Sequence, residues 1–204
     1  ELAAKMGSVN TLVRVDGGYK GYNTDMTGLY RAMSSDGVSI QGEQVIVLGA
    51  GGVGRAVAFM CAAKGAAHVW LLNRTVEKAD EVAKEVNLAE GRSCVEALAM
   101  SDYDKLADEK YLVIQSTSVG LYPHVEDAVI TDPAFYHKVK AGYDLIYRPW
   151  ETRFMQLVKE QGAPAYNGLK MLLYQGIEAF ELWNQCKIED ESAYKLYEML
   201  RTTV

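Results

Sequence analysis

Val45-Ile46-Val47-Leu48-Gly49-Ala50-Gly51-Gly52-Val53-Gly54-Arg55 decides the fold of this 204-residue chain. An apolar, mostly β-branched run ends in a glycine cluster, and a helical pattern follows at once. Gly49, Gly51 and Gly54 therefore stand in the spacing G-x-G-x-x-G. In that setting the first glycine makes a tight turn and the second lets the backbone approach a pyrophosphate. The third lets helix and strand pack closely. The helix N-terminus adds free N–H groups and a partial positive charge, both favourable to phosphate. The competing interpretation is an ordinary glycine-rich turn, but the strand before and the helix after favour a dinucleotide site.

Working outward, strand and helix alternate. Residues 44–49 form a strand, 52–64 a helix and 68–73 the next strand, and Thr75 caps a helix over 76–87. The polar, acidic stretch 88–110 gives no clear pattern. Beyond it come a buried strand at 111–117, a loop at 118–131, a short helix at 132–138 and a strand at 141–147 stopped by Pro149. A helix at 152–161 and a short strand at 164–167 follow. Leu169, Leu172, Leu173, Gly176, Ile177, Phe180 and Trp183 mark one apolar face of a helix at 169–184, and a last helix spans 191–202. Ahead of the glycine loop, 8–15 and 19–23 make a hairpin around Asp16-Gly17-Gly18, and Asp25 opens a helix. The expected fold is α/β: a Rossmann-like doubly wound parallel sheet with helices on both faces, plus the remnant of a second, substrate-binding domain. The expected division is 1–24, the end of that substrate domain; 25–168, the nucleotide-binding domain; and 169–204, C-terminal helices packing back toward the substrate domain.

Composition narrows the class. A formal net charge of −6 argues against a nucleic-acid binder. Cys61, Cys94 and Cys186 have no metal spacing, so reduced core thiols are expected. His68, His124 and His137 have no partner at ligand spacing, and no metal is assigned. No apolar run reaches membrane-span length and no signal peptide is recognised, which points to the cytoplasm. The chain starts at Glu1 without a methionine, and an upstream segment is expected.

The second strand ends in Asn73-Arg74-Thr75, about 20 residues past the glycines, where an NAD-selective site carries a carboxylate. Here Arg74 is cationic, Asn73 and Thr75 offer hydrogen bonds, and Lys78 lies one helical turn on. Arginine presents planar, charge-assisted donors to phosphate oxygens, so this set suits a 2′-phosphate and favours NADP. Two unremarkable surface cations at a helix start are the alternative.

Several motifs then agree in order. They are Gly7-Ser8-Val9-Asn10-Thr11, Gly21-Tyr22-Asn23-Thr24-Asp25, Gly49-Ala50-Gly51-Gly52, Asn73-Arg74-Thr75 and Ser116-Thr117-Ser118-Val119-Gly120. Asp144-Leu145-Ile146-Tyr147 and Gly168-Leu169-Lys170-Met171-Leu172 with Gln175 complete the set. Over essentially its whole length the chain resembles the shikimate/quinate 5-dehydrogenase family. That resemblance implies reversible reduction of 3-dehydroshikimate to shikimate with NADPH, in aromatic amino-acid biosynthesis, and a substrate cleft between two domains. It implies a catalytic role for Asp25 and substrate contacts at Asn10, Tyr147 and Gln175. It also implies cofactor contacts at Ala50, Gly52, Val53, Thr117, Ser118, Val119, Gly168 and Met171, besides the glycines, Asn73, Arg74, Thr75 and Lys78.

The chain departs from the family pattern in places. The family's substrate-binding serine pair and its N-V-T-x-P-x-K-like segment with the catalytic lysine are not among these residues. The expectation is a fragment, or a missing half on another chain, inactive by itself. Gln115-Ser116-Thr117-Ser118 stands where the family usually has an asparagine and often a proline, and Arg148 where an asparagine is common.

Carbonyl reduction needs a proton source and a group that stabilises the developing alkoxide. An unperturbed aspartate, with a pKa of about 3.9, is a poor acid at neutral pH. Asp25 is therefore expected to be half of a pair whose lysine lies upstream, Lys20 and Lys170 being the substitutes within this chain. The bland role for Asp25 is a helix N-cap. A non-catalytic NADP-binding module and a quinate or shikimate dehydrogenase using NAD are the alternative functions. The expected partner is a small-molecule substrate, with no nucleic acid and no membrane; homodimerisation stays open.

Overall fold

The computed structural model describes residues 2–203. The chain divides into two compact units: Ser39–Asn167, and the residues up to Val38 together with those from Gly168 onward. The sequence boundary at 24/25 differs from this packing boundary because the helix Thr24–Ser35 packs on the C-terminal helix Leu169–Asn184.

The Ser39–Asn167 unit is built on six parallel strands: β3 (Gln44–Leu48), β4 (His68–Asn73), β5 (Val95–Ala99), β6 (Tyr111–Gln115), β7 (Val139–Asp144) and β8 (Ala165–Tyr166). Their spatial order is β5-β4-β3-β6-β7-β8. Strand order reverses between β3 and β6, so the chain leaves their carboxyl ends in opposite directions and opens a crevice there. Both strands are buried on their two faces, which explains their unbroken apolar runs. The connecting helices are α3 (Gly52–Ala63), α4 (Val76–Glu90), α5 (Pro133–Tyr136) and α6 (Arg153–Glu160). One core cluster joins Ile46, Leu48 and Val113 of the sheet to Phe135, Tyr136, Phe154 and Val158.

Several element limits differ from the pattern-based expectation. The segment 88–110 holds β5 and a 3-10 helix, Met100–Lys105. β5 is an edge strand fixed by a distant amide rather than by its own pattern. Asn87 Oδ1 accepts from Cys94 N (2.8 Å) and Val95 N (2.9 Å), and its Nδ2 donates to Val95 O (2.8 Å). β7 ends at Asp144, not at Tyr147, because the Asp144 carboxylate accepts the Ile146 N–H (2.9 Å) and turns the chain. Thr152 and Asp132 are N-caps of α6 and α5 rather than helix residues.

The other unit contains α1 (Leu2–Met6), an antiparallel hairpin of β1 (Thr11–Val15) and β2 (Gly18–Tyr22), and three helices: α2 (Thr24–Ser35), α7 (Leu169–Asn184) and α8 (Asp190–Arg201). Asn23, not Asp25, caps α2; its Oδ1 accepts from Met26 N at 3.2 Å. The α2 and α7 backbones meet at Gly28, where a Cβ would stand 2.5 Å from Gln175 N. The expected apolar face of α7 is only partly buried. Leu169 and Ile177 are inside, while Phe180 and Trp183 are 48% and 59% exposed. The buried member at that end is Glu181, which takes Arg31 (3.1 Å), Lys187 (2.7 Å) and the Ile188 N–H (2.9 Å). Cys61 and Cys94 are buried, but Cys186 is exposed, so only two of the three thiols are core residues. No helix is long and apolar enough to cross a membrane among the described residues.

Candidate functional site

The glycine loop closes the β3–α3 turn. Gly49 has φ +104°, and its N–H donates to Leu72 O at 2.8 Å. A Cβ on Gly54 would stand 1.9 Å from Gly49 O, so this position tolerates only glycine against the turn. Gly51 occupies the N-cap of α3 without a side-chain cap, and nothing lies within 4 Å of where a Cβ on Gly51 or Gly52 would stand. The first-turn N–H groups, with Ala50 and Val53 beside them, thus lack a side-chain cap and border open space. That arrangement fits a bound diphosphate.

A cleft of about 610 Å³ opens from this turn, bordered by Asn73, Arg74 and the Ser116–Val119 loop. Asn73 is a tether: its Oδ1 accepts from Ala50 N (3.2 Å), and its Nδ2 donates to Thr75 O (2.8 Å). It couples the glycine loop to the β4–α4 turn. Thr75 holds the N-cap position of α4 with no side-chain cap bond, which leaves its hydroxyl uncommitted to the helix. Arg74 is exposed and borders the cleft, whereas Glu126 and Asp127 line it as carboxylates. Lys78 is exposed on α4 and does not border the cleft.

Ser116 has no role assigned by the sequence pattern. Its hydroxyl donates to Leu48 O at 2.7 Å, pinning the end of β6 to the glycine turn. Beyond it, a second and more apolar cleft of about 640 Å³ is lined by Val53, Thr117, Ser118, Ile146, Tyr147 and Arg148, among others. Tyr147 is 37% exposed there.

Asn10 and Asp25 come together in the other unit. Asn10 Oδ1 accepts from Thr24 N (2.9 Å) and from the Thr11 and Thr24 hydroxyls (3.1 and 3.2 Å). Its side chain also hydrogen-bonds Asp25. Burial pushes the Asp25 carboxyl above the usual carboxylate range, and the Asn10 hydrogen bond opposes that rise. A carboxyl so placed holds a proton more readily than an exposed one. The Gln175 backbone packs on Gly28, one turn beyond Asp25, and its side-chain amide makes no hydrogen bond among the described residues. Gly168 is the buried N-cap of α7, with Met171 half-buried on its first turn. Lys170 is ion-paired with Asp36, and Lys20 lies over the Tyr22 ring, so neither reaches Asp25 through a described contact. Among the described residues no group of three or more His, Cys, Asp or Glu side chains is placed to hold a metal ion.

Comparison with known proteins converges on one family. Residues 32–131 match the model of shikimate / quinate 5-dehydrogenase, and residues 168–194 that of the shikimate 5'-dehydrogenase C-terminal domain. The chain is 38% identical over 183 residues to the shikimate dehydrogenase (NADP(+)) of Methanosarcina barkeri, covering 89% of this chain and 65% of that protein. It thus spans slightly less than two thirds of the length of such curated relatives. Among solved structures, the chorismate mutase/shikimate 5-dehydrogenase fusion protein of Clostridium acetobutylicum superimposes with a TM-score of 0.87 at 30% identity. That match covers 100% of this chain and 71% of the fusion protein. The shikimate 5-dehydrogenase of Thermus thermophilus, solved with NADP(H) and shikimate, gives 0.76 at 33% identity, covering 98% of this chain and 70% of the other. With the parallel-sheet order and the glycine turn already in place, the chain belongs to the shikimate/quinate 5-dehydrogenase family.

Proposed function

We propose that this chain carries the NADP-binding part of an oxidoreductase that interconverts 3-dehydroshikimate and shikimate. The observation that carries the reading is the pairing of an uncapped α3 N-terminus, with open space above Gly51 and Gly52, and Arg74 at the end of β4 in place of a carboxylate. NADPH supplies the hydride when bound. The α3 N-terminus takes the diphosphate through N–H groups, and Arg74 with Thr75 takes the 2′-phosphate. Thr117, Ser118 and Val119 lie further along the same crevice, toward Tyr147, on the nicotinamide side. On the substrate side, Asn10 hydrogen-bonds Asp25, and Gln175 offers a free amide to a hydroxyl. The raised affinity of Asp25 for a proton suits it to share one with a substrate hydroxyl and a lysine from outside these residues. Gly168 and Met171 complete the cofactor contacts in this reading, Lys78 contributes a longer-range charge, and the cytoplasm is the proposed location.

Titration of the chain with NADPH and NADH, followed by nicotinamide fluorescence, tests the cofactor assignment. NADPH should bind more tightly by about 100-fold, the worth of two charge-assisted hydrogen bonds. Arg74→Asp should erase that preference. Equal affinity for both cofactors before and after the change removes the phosphate pocket.

A further inference from the structure

Behind the two clefts lies a polar cluster that the cofactor reading does not use. Gln115, Asp144 and Thr152 are each 0% exposed. They come from the end of β6, the end of β7 and the N-cap of α6, and Gln115 and Asp144 are paired in the sheet register. Every polar atom of the two central side chains is engaged. Gln115 Oε1 accepts the Thr117 N–H, and Nε2 donates to Val119 O (3.1 Å) and Asp144 Oδ1 (3.4 Å). Asp144 Oδ1 also accepts the Ile146 N–H (2.9 Å), and Oδ2 accepts the Thr152 hydroxyl (2.6 Å). The same hydroxyl oxygen accepts from Met155 N (3.3 Å) and starts α6.

The Gln115 amide, the Ile146 N–H and the Thr152 hydroxyl all donate to Asp144, which is the pattern an ionised carboxylate requires, since it only accepts. A solvent-excluded carboxylate whose described partners include no cation is costly. Apolar residues at these positions would fill the space without that cost. What the cluster provides instead is geometry: one amide sets the backbone of the loop after β6, and one carboxylate sets the backbone after β7.

We propose that Gln115, Asp144 and Thr152 are positioning residues that hold the backbones of Ser116–Val119 and Leu145–Arg148, two segments that wall most of the apolar cleft, in the form that receives the nicotinamide end of the dinucleotide. The assignment of that cleft rests on the cofactor reading above; the holding of the walls does not. Gln115, with one methylene more than asparagine, spans from β6 to both Val119 O and Asp144. Burial lifts the Asp144 carboxyl to about 6, opposed by its bonds to Thr152, Ile146 and Gln115. Tyr136 on α5 is the titratable group in electrostatic reach, and Arg153 and Glu160 act on Tyr136 in turn. The closed cluster binds the Asp144 proton more tightly than an opened, solvated carboxylate would, so the walls tighten as the pH falls through about 6.

Hydrogen–deuterium exchange of the whole chain, with NADPH titration alongside, tests the assignment. In Gln115→Leu, peptides covering 116–120 and 145–148 should exchange at least about tenfold faster while β3 is unchanged, and NADPH affinity should fall about tenfold. Thr152→Val should free 145–148 in the same way, and Thr152→Ser should restore it. After correction for intrinsic rates, the wild-type walls should gain protection below pH 6, and those of Asp144→Asn should not change across that range. Wild-type exchange at both walls in a folded Gln115→Leu or Thr152→Val variant overturns the proposal. Should either variant fail to fold, flat wild-type protection across pH 6 overturns it as well. An unaltered chain that does not bind NADPH sinks the cofactor reading instead, and the exchange results still decide the role of the cluster.

Discussion

At the scale of single residues, the glycines of the β3–α3 turn separate into two kinds. Gly54 serves the fold, because an added Cβ would overlap Gly49 O. Gly51 faces open space and has an ordinary φ of −74°. Gly54→Ala should therefore destabilise the chain by about 3 kcal/mol, the upper part of the overpacking range, lowering Tm by about 6–12 °C in calorimetry. Gly51→Ala should leave Tm within about 1 °C yet weaken NADPH binding by about tenfold or more, because its methyl would occupy the place proposed for the diphosphate. A Gly51→Ala variant with unaltered affinity denies the loop its proposed ligand. These positions were legible in the sequence because their roles follow from local spacing. The Gln115–Asp144–Thr152 cluster was not, because its members lie on three separate segments that meet only through the register of β6 and β7. Nor was the double use of Asn73, whose short side chain reads equally well as a phosphate ligand and as a tether.

At the scale of elements, α2 and α7 approach one another closely. Gly28 faces the Gln175 backbone, which cannot give way as a flexible side chain could. Gly28→Ala should cost about 1–3 kcal/mol through separation of the helices, partly offset by the better helix propensity of alanine, about 1 kcal/mol. Urea unfolding measures it; an unchanged or higher midpoint means the helices shift apart freely. The alternation of strands and helices was readable wherever the strand is buried on both faces, as in β3 and β6. It failed at β5, an edge strand with Glu96 and two alanines, held by the Asn87 side chain from the preceding helix. It also misjudged α7. Period alone counted Phe180 and Trp183 as core, while Glu181 is the buried residue, made tolerable by Arg31, Lys187 and the Ile188 N–H.

At the scale of the whole molecule, two buried carboxylates give opposite pH dependences. Burial of Glu181 would raise its carboxyl, but Lys187, the Ile188 N–H and Arg31 outweigh it and hold it below the ordinary value. Its stabilisation is present above the unfolded pKa and lost as the pH falls through the folded one. Asp144 lies at about 6 against an ordinary 3.8. The folded chain binds that proton more tightly than the unfolded chain. Its contribution is thus present below about pH 4 and lost as the pH rises through about 6, on the order of 3 kcal/mol. The unfolding free energy of wild type minus that of Asp144→Asn should fall by about this amount between pH 4 and 7, whatever constant offset the substitution adds. A flat difference would mean that Asp144 titrates alike in both states. At the outer border of the sheet, β8 contributes just two residues, Ala165 and Tyr166. A foreign strand arriving there meets a template too brief to zip onto, so self-propagating association has little purchase from that side.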